Sequence, residues 1–279
     1  MLRAAVLMLI AFLSAQLAFP AMAEKRVALV IGNSASRNVP ARAIPGNDAT
    51  DMAARLDELG FDVVNGLDLD MGALRDTVRE FVRRLEGADI ALFFYAGHGL
   101  QVNGENYIAP VDASLRSHLE LDFETMPMNL VLSAMERATK VNLVFLDACR
   151  DNPLVDNLAR SMGTRSGSVG RGLARLGSGI GSLIAFATQP GNVAMDGNGR
   201  NSPFTAALLQ YLGTPGNAII EDLVQVRKAV VEATQGRQVP WDNSSLTGPV
   251  ILKPADASDA KAEEQKREDN AEFELMYWS

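Results

Sequence analysis

Four stretches of this chain are apolar at almost every position: Arg26 to Ile31, Ile90 to Ala96, Val141 to Leu146 and Ser182 to Thr188. A run of that length without alternation predicts a strand covered on both faces, as in a parallel sheet. Between these runs the apolar positions repeat with a helical period. Met52, Leu56 and Leu59 share a face over Asp48 to Leu59, with Gly60 as the stop. Leu74, Val78, Phe81, Val82 and Leu85 share another over Met71 to Leu85. Leu130 to Ala138 predicts a third helix, and Ile219 to Thr234 the last. Pro203 to Leu212 predicts one in between, with Ser202 as N-cap and proline at the first helical position. Phe61 to Val64 predicts a short strand and Tyr107 to Val111 a brief extended excursion. Such alternation of strand and helix predicts an α/β fold, a mostly parallel central sheet with helices on both faces.

Three segments depart from the pattern. Asn157 to Gly181 mixes glycine and serine with Arg160, Arg165, Arg171 and Arg175, and predicts a long loop. From Pro254 the composition turns to Ala, Asp, Glu and Lys, which predicts a solvated helix or linker over 254–279. That segment ends on the apolar cluster Phe273 to Trp278, which either begins a further module or folds back on the domain. At the other end, Met1-Leu2-Arg3, the apolar stretch Ala4 to Phe19 and Ala21-Met22-Ala23 have the layout of a secretory signal peptide, 1–23, cleaved before Glu24. The alternative is an uncleaved membrane anchor, for which the apolar stretch is short against the ~20 residues of a full span. The expectation is a periplasmic or secreted protein, without a stable membrane span after cleavage, whose single domain covers 24–253.

The formal net charge of −8 argues against a general nucleic-acid partner, because phosphate binding needs a basic surface. No zinc-ligand spacing or Walker loop is present, and Val30-Ile31-Gly32-Asn33-Ser34 has one glycine where a dinucleotide fingerprint needs three. The chain holds a single cysteine, so it has no internal disulfide. Such a residue is a reactive thiol, a buried hydrophobe or an intermolecular link.

The position of that cysteine points to chemistry. Cys149 stands just past the third apolar run, in Leu146-Asp147-Ala148-Cys149-Arg150-Asp151, where the chain turns abruptly polar. His98, one of two histidines, stands just past the second run between Gly97 and Gly99. In parallel sheets the carboxyl ends of the strands form the ligand crevice, and neighbouring strands lie about 4.8 Å apart. A thiol and an imidazole so placed predict a Cys–His nucleophilic dyad; the alternatives are an inert cysteine and a core histidine. His118, in Arg116-Ser117-His118-Leu119-Glu120, predicts a surface loop residue.

The motifs are also recognisable. Pro45-Gly46-Asn47-Asp48-Ala49, Phe94-Tyr95-Ala96-Gly97-His98-Gly99 and Leu146 to Pro153 are followed in order by Ala187-Thr188-Gln189-Pro190-Gly191, Ser202-Pro203-Phe204-Thr205 and Gln238-Val239-Pro240-Trp241. Over roughly residues 25–252 the chain resembles the caspase-like peptidases of bacteria, the group related to metacaspases and eukaryotic caspases. The histidine stands about 50 residues before the cysteine, as in caspases. Asp147-Ala148-Cys149 resembles the metacaspase form of the cysteine motif.

The resemblance implies a caspase-like three-layer sandwich and a cysteine-type endopeptidase acting on peptide or protein substrates. It implies Cys149 as nucleophile, His98 as acid/base, and the backbone N–H groups of Gly99 and Cys149 as the oxyanion hole. By likeness to metacaspases, Asp48 and Asp147 would line the S1 pocket and select Arg or Lys at P1. Caspases instead bind aspartate through arginine, and Arg42 lies near the corresponding loop. Without the resemblance, Asp48 reads as an N-cap and Asp147 as a structural carboxylate at a strand end. The arginine-bearing loop suggests self-processing. No resident cofactor or metal is implied; calcium activation, common among metacaspases, stays open because no loop of clustered carboxylates supports it. Two other functions compete: an interaction scaffold that has the fold without the chemistry, and a transpeptidase that passes the acyl group to an amine.

Overall fold

The computed structural model describes residues 24–34, 44–148, 153–162, 169–170 and 172–255. The expected signal segment 1–23, Arg42, Cys149, Arg165, Arg171 and the tail from 256 lie outside the described residues.

The apolar runs form one six-stranded sheet. Its strands are β1 (Arg26–Gly32), β2 (Asp62–Leu67), β3 (Ile90–Ala96), β7 (Val141–Asp147), β9 (Ser182–Phe186) and β10 (Trp241–Ser244), in the order β10-β9-β7-β3-β1-β2. All neighbours pair in parallel except β10, which runs antiparallel to β9. Every residue of β3 is buried, as expected of a central strand with both faces covered.

The covering helices are α1 (Ile44–Glu58), α2 (Met71–Arg84), α4 (Met128–Ala138), α6 (Pro203–Tyr211) and α7 (Ile219–Ala233). The chain steps from β1 outward to β2, then back across β1 to β3. Right-handed crossovers therefore put α1 on one face and α2 on the other. Contacts agree: α1 packs on α6, which packs on α7, while α2 packs on α4. The three-layer α/β architecture expected from the sequence is the one observed.

A second, smaller sheet stands beyond β3, in the order β6-β5-β4-β8 and antiparallel throughout. It consists of β4 (Gly99–Val102), β5 (Glu105–Ile108), β6 (Met126–Pro127) and β8 (Val169–Gly170). With a short helix α3 (Leu121–Glu124) and α5 (Pro153–Met162), it encloses a separate small core of Leu100, Val102, Tyr107, Leu115, Leu154 and Leu158.

Three expectations are corrected. Asn157 to Gly181 is not one loop: α5 runs to Met162, because Leu154 and Leu158 bury one face, and β8 follows. Helix α1 starts four residues before Asp48, with Pro45 in its first turn, where a missing N–H costs nothing. Asp48 is therefore inside the helix and is not its N-cap. His118 is exposed as expected, but on a single 3₁₀ turn, His118–Glu120, closed by a Ser117/Glu120 capping box.

Candidate functional site

The carboxyl edge of the large sheet gathers His98, Gly99, Asp48 and Asp147. After β3 the chain passes Gly97, where a Cβ would lie 2.8 Å from the Tyr95 hydroxyl and 3.3 Å from the Asn33 Cβ. Only glycine fits that passage. The Tyr95 hydroxyl donates to the His98 carbonyl at 2.8 Å, and the Ala109 N–H donates to the same oxygen at 3.0 Å. Asn33, buried at the end of β1, donates its N–H to the Ala96 carbonyl (2.9 Å) and its Nδ2 to the Ala109 carbonyl (3.0 Å). Its Oδ1 accepts from the Leu69 N–H at 3.0 Å. Five hydrogen bonds thus hold the backbone around His98, which is 7 % exposed.

Strand β7 brings its own end alongside. Ala96 pairs with Asp147, and the Gly97 N–H donates to the Asp147 carbonyl at 3.3 Å. A Cβ on Gly99 would lie 2.8 Å from the Ala148 carbonyl oxygen and 3.3 Å from the Ala148 Cβ. The residue after His98 is therefore packed against the residue before Cys149.

Asp48 and Asp147 come together, on the N-terminus of α6. The Ser202 N–H donates to Asp48 Oδ1 at 3.0 Å, and the Ser202 hydroxyl donates to Asp147 Oδ2. The Thr205 hydroxyl donates to the same Asp147 oxygen at 3.0 Å, while Ser202 Oγ caps the Thr205 N–H at 2.9 Å. Both carboxylates are fully buried. The partial positive charge at a helix N-terminus offsets part of the cost of enclosing them. Gly32 makes the delivery of Asp48 possible: a Cβ there would lie 2.5 Å from both the Pro45 carbonyl and the Ala49 Cβ.

The segment leading into α6 is tied to α1. Arg200 donates to Asp51 through Nε (2.8 Å) and Nη2 (2.9 Å), and Asn201 Nδ2 adds a bond at 2.9 Å. The Arg200 hydrogen bond is the main reason the Asp51 carboxyl sits below its usual range. Beside α6 an open recess of about 740 Å³ is lined by Met195, Asp196, Asn201, Thr234 and Arg237, among others.

Two residues of the site are invisible to motif reading. Asn106, 1 % exposed, donates Nδ2 to the Ala174 carbonyl and accepts the Ala174 N–H at Oδ1, both at 2.7 Å. This clamp and the β8–β4 pairing strap residues 169–170 and 172–176 across the small sheet. Leu173, fully buried, lies against Gly99, where a Cβ would meet its Cδ2 at 2.9 Å. The spacing of Leu173 and Leu176, both buried, is the one signal in the sequence that this stretch is packed. Of the arginines in the expected loop, Arg160 lies in α5 and donates to Asn157, and Arg175 is held with its guanidinium 5.1 Å from the centre of the Trp241 ring.

The Peptidase_C14 family model, described as a caspase domain, matches residues 25–251. The chain is 35 % identical over 131 residues to the human mucosa-associated lymphoid tissue lymphoma translocation protein 1, and 34 % identical over 131 residues to its mouse homolog. These matches cover 46 % of this chain and only 15 % of each of those longer proteins. Among solved structures, Caspase-1 from Spodoptera frugiperda superposes with a TM-score of 0.59 at 17 % identity, covering 84 % of this chain and 92 % of that one.

Proposed function

The chain belongs to the Peptidase_C14 caspase-domain family, which supports a cysteine-peptidase type of function, and on that footing we propose that it is an endopeptidase working through Cys149 and His98. The observation that carries this is the packing of Gly99 on Ala148, which sets the two strand ends against each other. The Cys149 thiolate attacks the scissile carbonyl carbon. The N–H groups of Gly99 and Cys149 receive the resulting oxyanion. His98 gives a proton to the departing amine as the C–N bond breaks, leaving a thioester. It then takes a proton from water, whose attack releases the acid and regenerates the thiol.

The same proposal assigns a basic P1 side chain. Asp48 and Asp147 are enclosed and hydrogen-bonded, so they act on substrate through the negative field they set up beside the recess. Asp196, which lines that recess, is the carboxylate that a P1 Arg or Lys meets directly. Self-processing, if it follows the same preference, falls at Arg165 or Arg171, which lie outside the described residues, rather than at Arg160, which sits in a helix, or Arg175, which is stacked on Trp241.

A fluorogenic panel with Arg, Lys or Asp at P1 tests all of this, using the chain from Glu24. The expected result is cleavage after Arg or Lys that is lost in both Cys149→Ala and His98→Ala, with Asp196→Ala raising KM for basic substrates. Activity that survives in Cys149→Ala, or silence with the thiol confirmed reduced, would overturn the assignment. Intact mass after prolonged incubation tests self-processing; a wild type as unnicked as Cys149→Ala removes it.

A further inference from the structure

Helices α2 and α4 meet over a groove that catalysis leaves unused. Two adjoining hollows of about 270 and 460 Å³ share Val78, Arg79 and Leu130. The floor is apolar, and Val82 and Leu130 are 41 % and 54 % exposed there. Exposed apolar residues collected in a groove mark a binding surface more often than chance. The rim is mostly basic: Arg75, Arg79 and Arg83 line one wall at four-residue spacing on α2 and Arg137 stands on α4, with Asp122 as a carboxylate among them. Arg79 and Arg83 pair with Asp76 and Glu80 on their own helix, in exposed contacts that contribute little and exchange readily. The side chains of Arg75 and Arg137 make no hydrogen bond or ion pair with any described residue. An apolar floor under guanidinium groups, two of them without a partner among the described residues, fits a segment that carries large apolar side chains and carboxylates together.

This chain contains such a segment outside the described residues. Over 268–278, Glu268, Asp269, Glu272 and Glu274 are interleaved with Phe273, Leu275, Met276, Tyr277 and Trp278. The Leu252 carbonyl accepts from Arg26 at the start of β1, and neighbouring Lys25 donates to the Glu86 carbonyl just past α2, near the end of the groove marked by Arg83 and Arg137. From there the chain turns to the opposite helix layer: the Lys253 carbonyl accepts from the Gly216 N–H, and Ala255 lies against Gly216, between α6 and α7. The tail must therefore pass around the edge of the domain to reach the groove, and residues 256–267 span about 40 Å when extended. We propose that residues 268–278 dock in the α2–α4 groove, apolar side chains on its floor and carboxylates against Arg75, Arg79, Arg83 and Arg137. The apolar segment 4–19 is a poorer match, since it offers nothing for the arginines.

The chain has two tryptophans, so Trp241→Phe leaves Trp278 as the sole reporter. In a chain covering 24–279, Trp278 emission is expected to be blue-shifted and protected from acrylamide. Leu130→Glu, at an exposed position, should shift emission to the red and restore quenching. Arg75→Glu with Arg137→Glu should do the same, and adding Glu272→Arg with Glu274→Arg should restore protection. Circular dichroism on each variant confirms folding. A solvent-accessible Trp278 in the parent overturns the proposal. So does a protected Trp278 that ignores the groove variants, which would place the tail elsewhere. A blue shift that fades on dilution would assign the contact to a second copy and equally overturn docking within one chain.

Discussion

The two sheets are built on different terms. In the large one, long apolar strands pair in parallel and are covered on both faces, so its stability is spread over many buried side chains. In the small one, strands of two to four residues are held by turns and by a few individual contacts, Asn106 foremost among them. The large sheet decides where the ends of β3 and β7 stand. The small one decides how tightly Gly99 and the strap around Leu173 are held. The strap joins the two: Leu173 and Leu176 pack into the large core, while Asn106 ties the stretch to the small sheet.

The sharpest way to break that division is in the middle of β3. Phe94→Ala, at a fully buried site, is expected to cost about 3–5 kcal/mol, a large part of a typical total of about 5–15 kcal/mol. The denaturation midpoint of the whole domain should fall. Asp147→Ala comes next: it strands the hydroxyls of Ser202 and Thr205, an expected cost of about 1–3 kcal/mol. Hydrogen exchange should rise at the start of α6, and Asp147→Asn should recover part of the loss.

Asn106→Ala should behave differently, because it removes the two bonds that tie Ala174 to the small sheet, worth about 1–2 kcal/mol locally. Exchange should rise over 169–176 and kcat should fall with the midpoint nearly unchanged. A midpoint drop as large as that of Phe94→Ala would show that the two cores are one cooperative unit. The smallest effect belongs to the Arg200–Asp51 contact. Its depressed carboxyl pKa gives stability that is present above the unfolded value of about 4 and is lost as pH falls through the folded value. Arg200→Gln should flatten that acid limb by lowering stability slightly at neutral pH and leaving the acid end unchanged, a small effect because the pair is partly solvated.

The same contrast governs how much could be read from the sequence. Strands β1, β3, β7 and β9 are legible because burial on both faces leaves a continuous apolar run. The helices facing the large sheet are legible for their stripe of apolar positions. Strands β4, β6, β8 and β10 are too short to show any period, and β10 begins at a half-exposed Trp241. Helix α5 was hidden by glycine, serine and arginine downstream, although Leu154 and Leu158 carry its spacing. At the site, His98 and the two aspartates could be placed from strand ends and motif likeness. Asn106 and Leu173 could not: each acts on residues about 70 positions away along the chain, and nothing local marks such a partner. The role expected for Asp48 as a cap was displaced by the early start of α1, which turns its carboxylate toward a different helix.

The strand order of the large sheet also has a history in time. A chain emerging from its N-terminus makes the β1–β2 pair, lays β3 on the other side of β1, and then adds β7, β9 and β10, each at the same advancing edge. No strand must be threaded between two already joined, so each one finds an open edge to pair with once it has emerged. All that the ends of β3 and β7 need in order to meet is therefore present by Asp147. Asp147 gains its hydroxyl partners only when Ser202 and Thr205 have emerged, more than fifty residues later. In a nascent chain the edge that gathers the site is in place before the helix that finishes it, and the interval is written into the order of the strands.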